Sequence, residues 1–228
     1  MKLVLYAASS AYAKEAAETA RRLDWQIAAA VRNLAGAPVA AGLGPVVEAD
    51  DLEADLLMLP FTVALTTPGH RYTASMDARH RGFAFPATLI DPTSIVASSA
   101  VIGCGSYVNA GAIVAAEVVT GRFCSINRGA SIGHDTTLAD YVSVGPGSVT
   151  GGSCRIGRGA FLGVGAVLAP QVSIGANAVV GAGAVVVRDV DEESVVVGNP
   201  ARTIRDDAGF AGVGVPPAEE WRHRQGAR

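Results

Sequence analysis

The chain has 228 residues, a formal charge of −3, 50% hydrophobic and only 6% aromatic residues, and 17% charged side chains. Plentiful apolar surface at low net charge excludes a disordered chain, and 27 glycines without a period of three exclude a collagen. A slightly acidic balance with no basic block excludes strong nucleic-acid binding.

The chain opens with Leu3-Val4-Leu5-Tyr6, a short apolar strand rather than a signal peptide, because Lys14 and Glu15 follow at once. Ala11 to Leu23 is rich in Ala and Glu and ends in basic residues, a helix pattern. Trp25 to Val31 reads as a second strand. Leu56 to Phe61, interrupted by Pro60 and followed by Val63-Ala64-Leu65, reads as a third. Strand–helix–strand predicts a small α/β unit of Rossmann type over residues 1–86. Its first turn, Ala7-Ala8-Ser9-Ser10-Ala11-Tyr12, lacks the glycines of a phosphate-cradling turn, but Ser9 and Ser10 offer hydroxyls to cap the helix and bond a ligand.

From Ile90 the chain divides into blocks of six. Seventeen hexads fill residues 90–191 without an insertion, and fifteen of the 17 leading residues are Ile, Leu or Val. Gly follows the leader in nine hexads, and the fifth position is always Ser, Ala, Val, Cys or Thr. This is the pattern of a parallel β-solenoid over residues 87–191. Leader and fifth residue face inward, and the glycine relieves crowding and permits positive φ. At three hexads per coil, 17 hexads make nearly six coils, about 27 Å tall. Cys124 and Cys154 fall at fifth positions, as buried fillers. Cys104 falls at a third position, and three cysteines without a pairing pattern predict no disulfide. Residues 192–228 supply one more strand, Val195-Val196-Val197, broken by Gly198-Asn199-Pro200-Ala201-Arg202, and a Gly- and Pro-rich tail from Gly209 expected to be loosely ordered.

Of four histidines only His134 lies in the solenoid, at the third position of its hexad, so it projects from a corner beside Asp135. A zinc site with three imidazole ligands is out of reach of one histidine per chain, and no catalytic metal is expected. No apolar run approaches the ~20 residues of a membrane helix, so no membrane insertion is expected and a cytoplasmic location is the default.

The hexads resemble the hexapeptide-repeat acyltransferases. The segment Asn127-Arg128-Gly129-Ala130-Ser131-Ile132-Gly133-His134-Asp135, followed by Leu138-Ala139-Asp140-Tyr141-Val142 and by Gly198-Asn199-Pro200-Ala201-Arg202, resembles more narrowly the NeuD/PglD-type sugar acetyltransferases. That resemblance implies an N-terminal Rossmann-like α/β domain followed by a left-handed parallel β-helix. It also implies a homotrimer with acetyl-CoA in the cleft between adjacent helices, and a sugar or nucleotide-sugar acceptor used in surface glycan synthesis. It makes His134 the general base, Asp135 the acid that raises its basicity, and Asn127 a residue on the acceptor side. It implies an oxyanion-binding N–H near Gly151 or Gly152, acetyl-CoA contacts at Ser143, Val164 and Ala182, and Arg202 or Arg205 at the CoA phosphates. Ser9, Ser10 and Arg71 fall to the acceptor. Relatives often carry a second histidine where this chain has Ser143. N-acetylation of a nucleotide-linked amino sugar is favoured; O-acetylation of a sialic acid-type sugar and a solenoid scaffold without chemistry remain the alternatives.

Overall fold

An unbroken apolar run suits a strand covered on both faces, and β1 (Lys2–Tyr6) is an inner strand of a four-stranded parallel sheet. The structure, a computed structural model, describes residues 1–206 and 214–216. The sheet order is β3-β2-β1-β4, with β2 (Gln26–Arg32), β3 (Val46–Glu48) and β4 (Phe61–Val63). Helix α1 (Ala13–Arg22) buries Ala13, Ala16, Ala17 and Ala20, a stripe at helical spacing whose small side chains let the helix lie close to the sheet.

The third strand differs from its expected position. Ala54–Leu57 form one helical turn, α2, and pairing with β1 begins only at Phe61. Pro60 has no N–H to give a ladder, so the strand starts after it. A longer helix, α3 (Pro68–His80), was not legible in the sequence. Its buried side is a mixture of Gly69, Arg71, Ala74, Ser75 and Ala78, which leaves no apolar stripe to read. Pro68 at its first position is the one local signal.

From Leu89 onward the hexads build a solenoid of two-residue strands, each paired in parallel with the strand eighteen residues on, as in Ser125↔Ser143. Face one carries Leu89–Ile90, Tyr107–Val108, Ser125–Ile126, Ser143–Val144, Phe161–Leu162 and Val179–Val180. Face two runs from Ile95–Val96 to Val185–Val186, and face three from Val119–Thr120 to Ser173–Ile174. Inside lie the leaders, among them Val108, Ile126, Ile132 and Leu162, with the small fifth residues between them; Cys124 and Cys154 are 1% and 0% exposed.

The glycines that follow the leaders act by crowding alone. A Cβ on Gly157 would lie 2.5 Å from the backbone nitrogen of Ala176, one coil further on. Positive φ occurs instead at the fourth position, at Gly129 and Gly147 and also at Phe123, Asp135 and Tyr141. Val195–Val197 extends face one, and the chain then reverses so that Arg202–Arg205 pairs antiparallel with it and covers that edge. Within the tail, Val215 is 2% exposed and packed, while Gly214 and Pro216 beside it are exposed; residues 207–213 and 217–228, where most of the expected loose tail falls, lie outside the described residues.

The first coil is tied to α1 through Asp91, which is 0% exposed. Thr19 and Arg22 donate to its Oδ2 at 2.6 and 2.7 Å, and the Thr93 N–H and hydroxyl donate to Oδ1 at 3.0 and 2.6 Å. Burial works against ionisation, but these donors outweigh it and hold the carboxyl at about 2. A depressed folded-state pKa contributes stability that is complete above the ordinary value of 3.8 and is lost as pH falls toward about 2. Urea midpoints measured from pH 5 down to pH 2 should therefore fall across that window, and Asp91→Asn should flatten the decline.

Candidate active site

The corner between faces two and three carries His134. Its backbone is fixed by the coil stack: the His134 carbonyl accepts from Ser153 N–H at 2.7 Å, and Asp135 N–H donates to Ala116 at 3.0 Å. Left-handed backbone at Asp135 (φ 57°) suits a short acidic side chain. Its Oδ2 lies 2.6 Å from His134 Nδ1, while 67% of the imidazole side chain is open. Gly152 lies one coil further on, against the ring. A Cβ there would sit 2.6 Å from Nε2, so glycine is what leaves the imidazole its place. Among the described residues the Gly152 N–H donates to no protein group. An imidazole with an oriented ring and an unpaired amide therefore lie side by side.

The corner between faces one and two holds a second set. Asn127, Ser143 and Val164 line a groove of about 260 Å³ together with Tyr12 and Thr66, which the sequence did not single out. Asn127 is 5% exposed and its Oδ1 accepts from Arg128 N–H (2.8 Å) and Asn109 Nδ2 (3.3 Å), which leaves its Nδ2 as the free end. The Ser143 hydroxyl is already engaged: it donates to the Thr66 carbonyl at 2.5 Å and accepts from Arg71 at 2.9 Å. Val164 and Ala182 are exposed on this corner, and their N–H groups have no protein acceptor among the described residues.

Arg71 corrects the sequence reading. It is 2% exposed rather than open to an acceptor. Nε donates to Phe123 O (2.7 Å), Nη1 to Leu65 O and Thr66 O (2.6 and 3.1 Å), and Nη2 to Tyr141 O (2.8 Å). Burial lowers its pKa to about 10, which keeps it charged at neutral pH. It is a strut between α3 and the solenoid.

At the C-terminal ends of β1, β2 and β4 a cavity of about 270 Å³ is lined by Ala7, Ser9, Asn33, Leu65, His70 and Thr73. The Ser9 Oγ is buried without a hydrogen-bond partner among the described residues. Ser10 instead accepts the Tyr12 N–H at 3.1 Å in a local turn, and α1 has no side-chain cap, contrary to the expectation that Ser9 and Ser10 cap it. Asn33, His70 and Thr73 were missed because only the sheet order brings these chain segments together. Arg202 is exposed beside Arg188 in a small cavity of about 170 Å³, and one of its N–H groups is taken by Ala201 O. The Cys124 thiol is buried and pushed up to about 12 by that burial, so it offers no thiolate nucleophile. No group of three His, Cys, Asp or Glu side chains gathers among the described residues.

One chain therefore does not unite the predicted site. His134 and Gly152 stand at one edge of face two, and Asn127, Val164 and Ala182 at the other. Between them face two exposes a stripe of apolar side chains: Ile95 (66%), Ile113, Val149 and Val167.

A family model described as bacterial transferase hexapeptide (six repeats) matches residues 153–188. No curated protein sequence matches the chain. Among solved structures it is similar to PerB from Caulobacter crescentus in complex with CoA and GDP-perosamine, with 32% identity, a TM-score of 0.79, and coverage of 90% of this chain and 97% of that one. It is similar to the acetyltransferase domain of PglB from Neisseria gonorrhoeae in complex with acetyl coenzyme A, with 31% identity, a TM-score of 0.79, and coverage of 89% and 98%. WeeI from Acinetobacter baumannii matches at 25% identity and a TM-score of 0.76 over 90% of this chain and 99% of that one.

Replacing Arg71 by Met would strand several buried carbonyls. Urea denaturation should show a loss of about 3–5 kcal/mol; Arg71→Lys, with a single ammonium in place of the fork, should recover only part of it.

Proposed function

The chain belongs to the left-handed β-helix sugar N-acetyltransferases of the hexapeptide-transferase superfamily, and we propose that it transfers acetyl from acetyl-CoA to the amine of a nucleotide-linked amino sugar with His134 as general base. The observation that carries this is the His134–Asp135 pair with the unpaired Gly152 amide against the ring. Asp135 accepts the Nδ1 proton, so the lone pair lies on Nε2. As the sugar amine attacks the thioester carbonyl, Nε2 takes its proton, and the Gly152 N–H meets the charge growing on the carbonyl oxygen. The C–S bond then breaks, and the departing CoA thiolate recovers the proton from Nε2. No acyl-enzyme is needed, which agrees with buried Cys124 and Cys154.

The acceptor's nucleotide end is assigned to the cavity beside Ser9, where an incoming polar group would satisfy the unpartnered hydroxyl. Backbone amides at Val164 and Ala182 suit the amide-rich pantetheine arm of CoA. The N-terminal sheet is read as a Rossmann-type unit, and the reaction as cytoplasmic. The exposed stripe of face two, flanked by the two half-sites, supports a homotrimer in which a corner of one chain faces the opposite edge of its neighbour.

Thiol release from acetyl-CoA, with GDP-perosamine and UDP-linked amino sugars as acceptors, tests the activity. His134→Ala should lower turnover about 10²–10⁴-fold, and Gly152→Ala, which displaces the ring, about 10²-fold, each with an unchanged melting temperature; wild-type rates in both would remove His134 as the base. Sedimentation should give a particle three times the 23.1 kDa chain, and Val149→Arg, a charge set into the stripe, should yield monomers without activity.

A further inference from the structure

The fourth positions along the corner between faces three and one form a ladder: Phe123, Tyr141, Gly159, Asn177. The rings of Phe123 and Tyr141 stack at 5.4 Å and 5°, although both residues adopt left-handed backbone, which bulky side chains rarely do. The next rung is Gly159 and has no side chain. Val215, from the far end of the chain, fills that gap: a Cβ on Gly159 would meet the Val215 Cβ at 2.9 Å. Val215 is 2% exposed and belongs to the apolar cluster of Phe123 and Tyr141.

The rung above holds the backbone of the inserted segment. Asn177 Oδ1 accepts the Val215 N–H at 2.9 Å, and Asn177 Nδ2 donates to the Val215 carbonyl at 3.2 Å. Arg158 Nε donates to the Pro216 carbonyl at 2.8 Å. One side-chain amide thus reads both backbone groups of a single residue, a missing side chain admits an aliphatic one, and an arginine takes the next carbonyl. These are the elements of a peptide site.

The same arginine reaches α3. Its guanidinium lies 5.1 Å from the Tyr141 ring centroid and 5.9 Å from that of Tyr72, a residue of α3. Arg71, one residue before Tyr72, holds the Phe123 and Tyr141 carbonyls of this ladder and the Thr66 carbonyl of the acceptor groove. We propose that Asn177, Gly159 and Arg158 form a binding site for an extended Val-Pro peptide, that its occupant is the chain's own segment Gly214–Pro216, and that occupation clamps α3 on the solenoid and so holds the acceptor groove in shape. The last clause rests on the acceptor reading given above; the first two do not.

The test uses the full-length chain with Val215→Asp, which sets a carboxylate against the aromatic rungs and releases the segment. A labelled peptide of residues 211–219 (AGVGVPPAE) should bind this variant, fail to bind wild type, whose site is filled, and fail to bind Val215→Asp with Asn177→Asp, which keeps the acceptor for the Val215 N–H but loses the donor to its carbonyl. Amide hydrogen exchange across Pro68–His80 should be about tenfold faster in Val215→Asp and return to the wild-type rate with saturating peptide. The KM for GDP-perosamine should rise about tenfold with kcat unchanged. Equal α3 exchange in variant and wild type, or peptide binding indifferent to Asn177→Asp, would overturn the proposal. Val215→Ser repeats both measurements if the aspartate variant does not fold. Exchange and peptide binding need no substrate, so a chain that ignores GDP-perosamine discredits the acceptor assignment and leaves these two results decisive.

Discussion

Closure of each coil at eighteen residues is the constraint on which the rest depends. A two-residue strand gives few hydrogen bonds, and it persists only because the strands eighteen residues to either side repeat its geometry, as Ser125 does between Tyr107 and Ser143. One residue more or fewer would turn every later leader out of the core. The glycines that follow the leaders serve the same closure: neighbouring coils approach at those points so closely that no Cβ fits. The chain departs from the period only at its end, where Val195 pairs with Val179, and there the solenoid stops and its edge is covered by an antiparallel strand.

This strictness explains what the sequence disclosed. A repeat states the same fact many times, so leaders, small fifth residues and the outward corner position of His134 were all legible, as were buried Cys124 and Cys154. Single-instance features were not. α3 hides because its buried face contains an arginine and a serine whose partners lie in coils more than fifty residues away. The third strand was set too early because apolar Leu56 and Leu57 favour a strand and a helical turn alike. Arg71 read as a surface cation because a buried arginine becomes intelligible only when the carbonyls that surround it are known. Positive φ was assigned to the second position because glycine is commonest there, whereas that position needs glycine for space and the fourth tolerates Phe, Tyr and Asp at some strain.

The division of the site between two edges of face two follows from the same geometry. A triangular prism sends consecutive corners in different directions, so residues one hexad apart, such as Asn127 and His134, cannot converge within a chain. Under the trimer proposed above a neighbour supplies the other edge, and the apolar stripe between the edges is the surface on which it would pack. The His134 ring takes its orientation from its own coil, through Asp135 and Gly152.

The N-terminal sheet meets the solenoid under a different regime. Two polar centres, Asp91 and Arg71, are buried in the junction and saturated with partners, and a saturated buried network admits one relative placement where a purely apolar contact would admit several. Ala7 sits in left-handed backbone (φ 58°) at the end of β1, the place a phosphate-binding turn would give to glycine. A methyl group stands where backbone would approach a ligand, so the polar groups this cavity offers are side chains, the Ser9 hydroxyl with Asn33 and His70, rather than main-chain amides. Such a site fixes its ligand by fewer, more directional contacts. On the acceptor reading proposed above it would depend more heavily on a rigid junction, and the buried arginine and the Val215 rung are the contacts of this chain that tie that junction together.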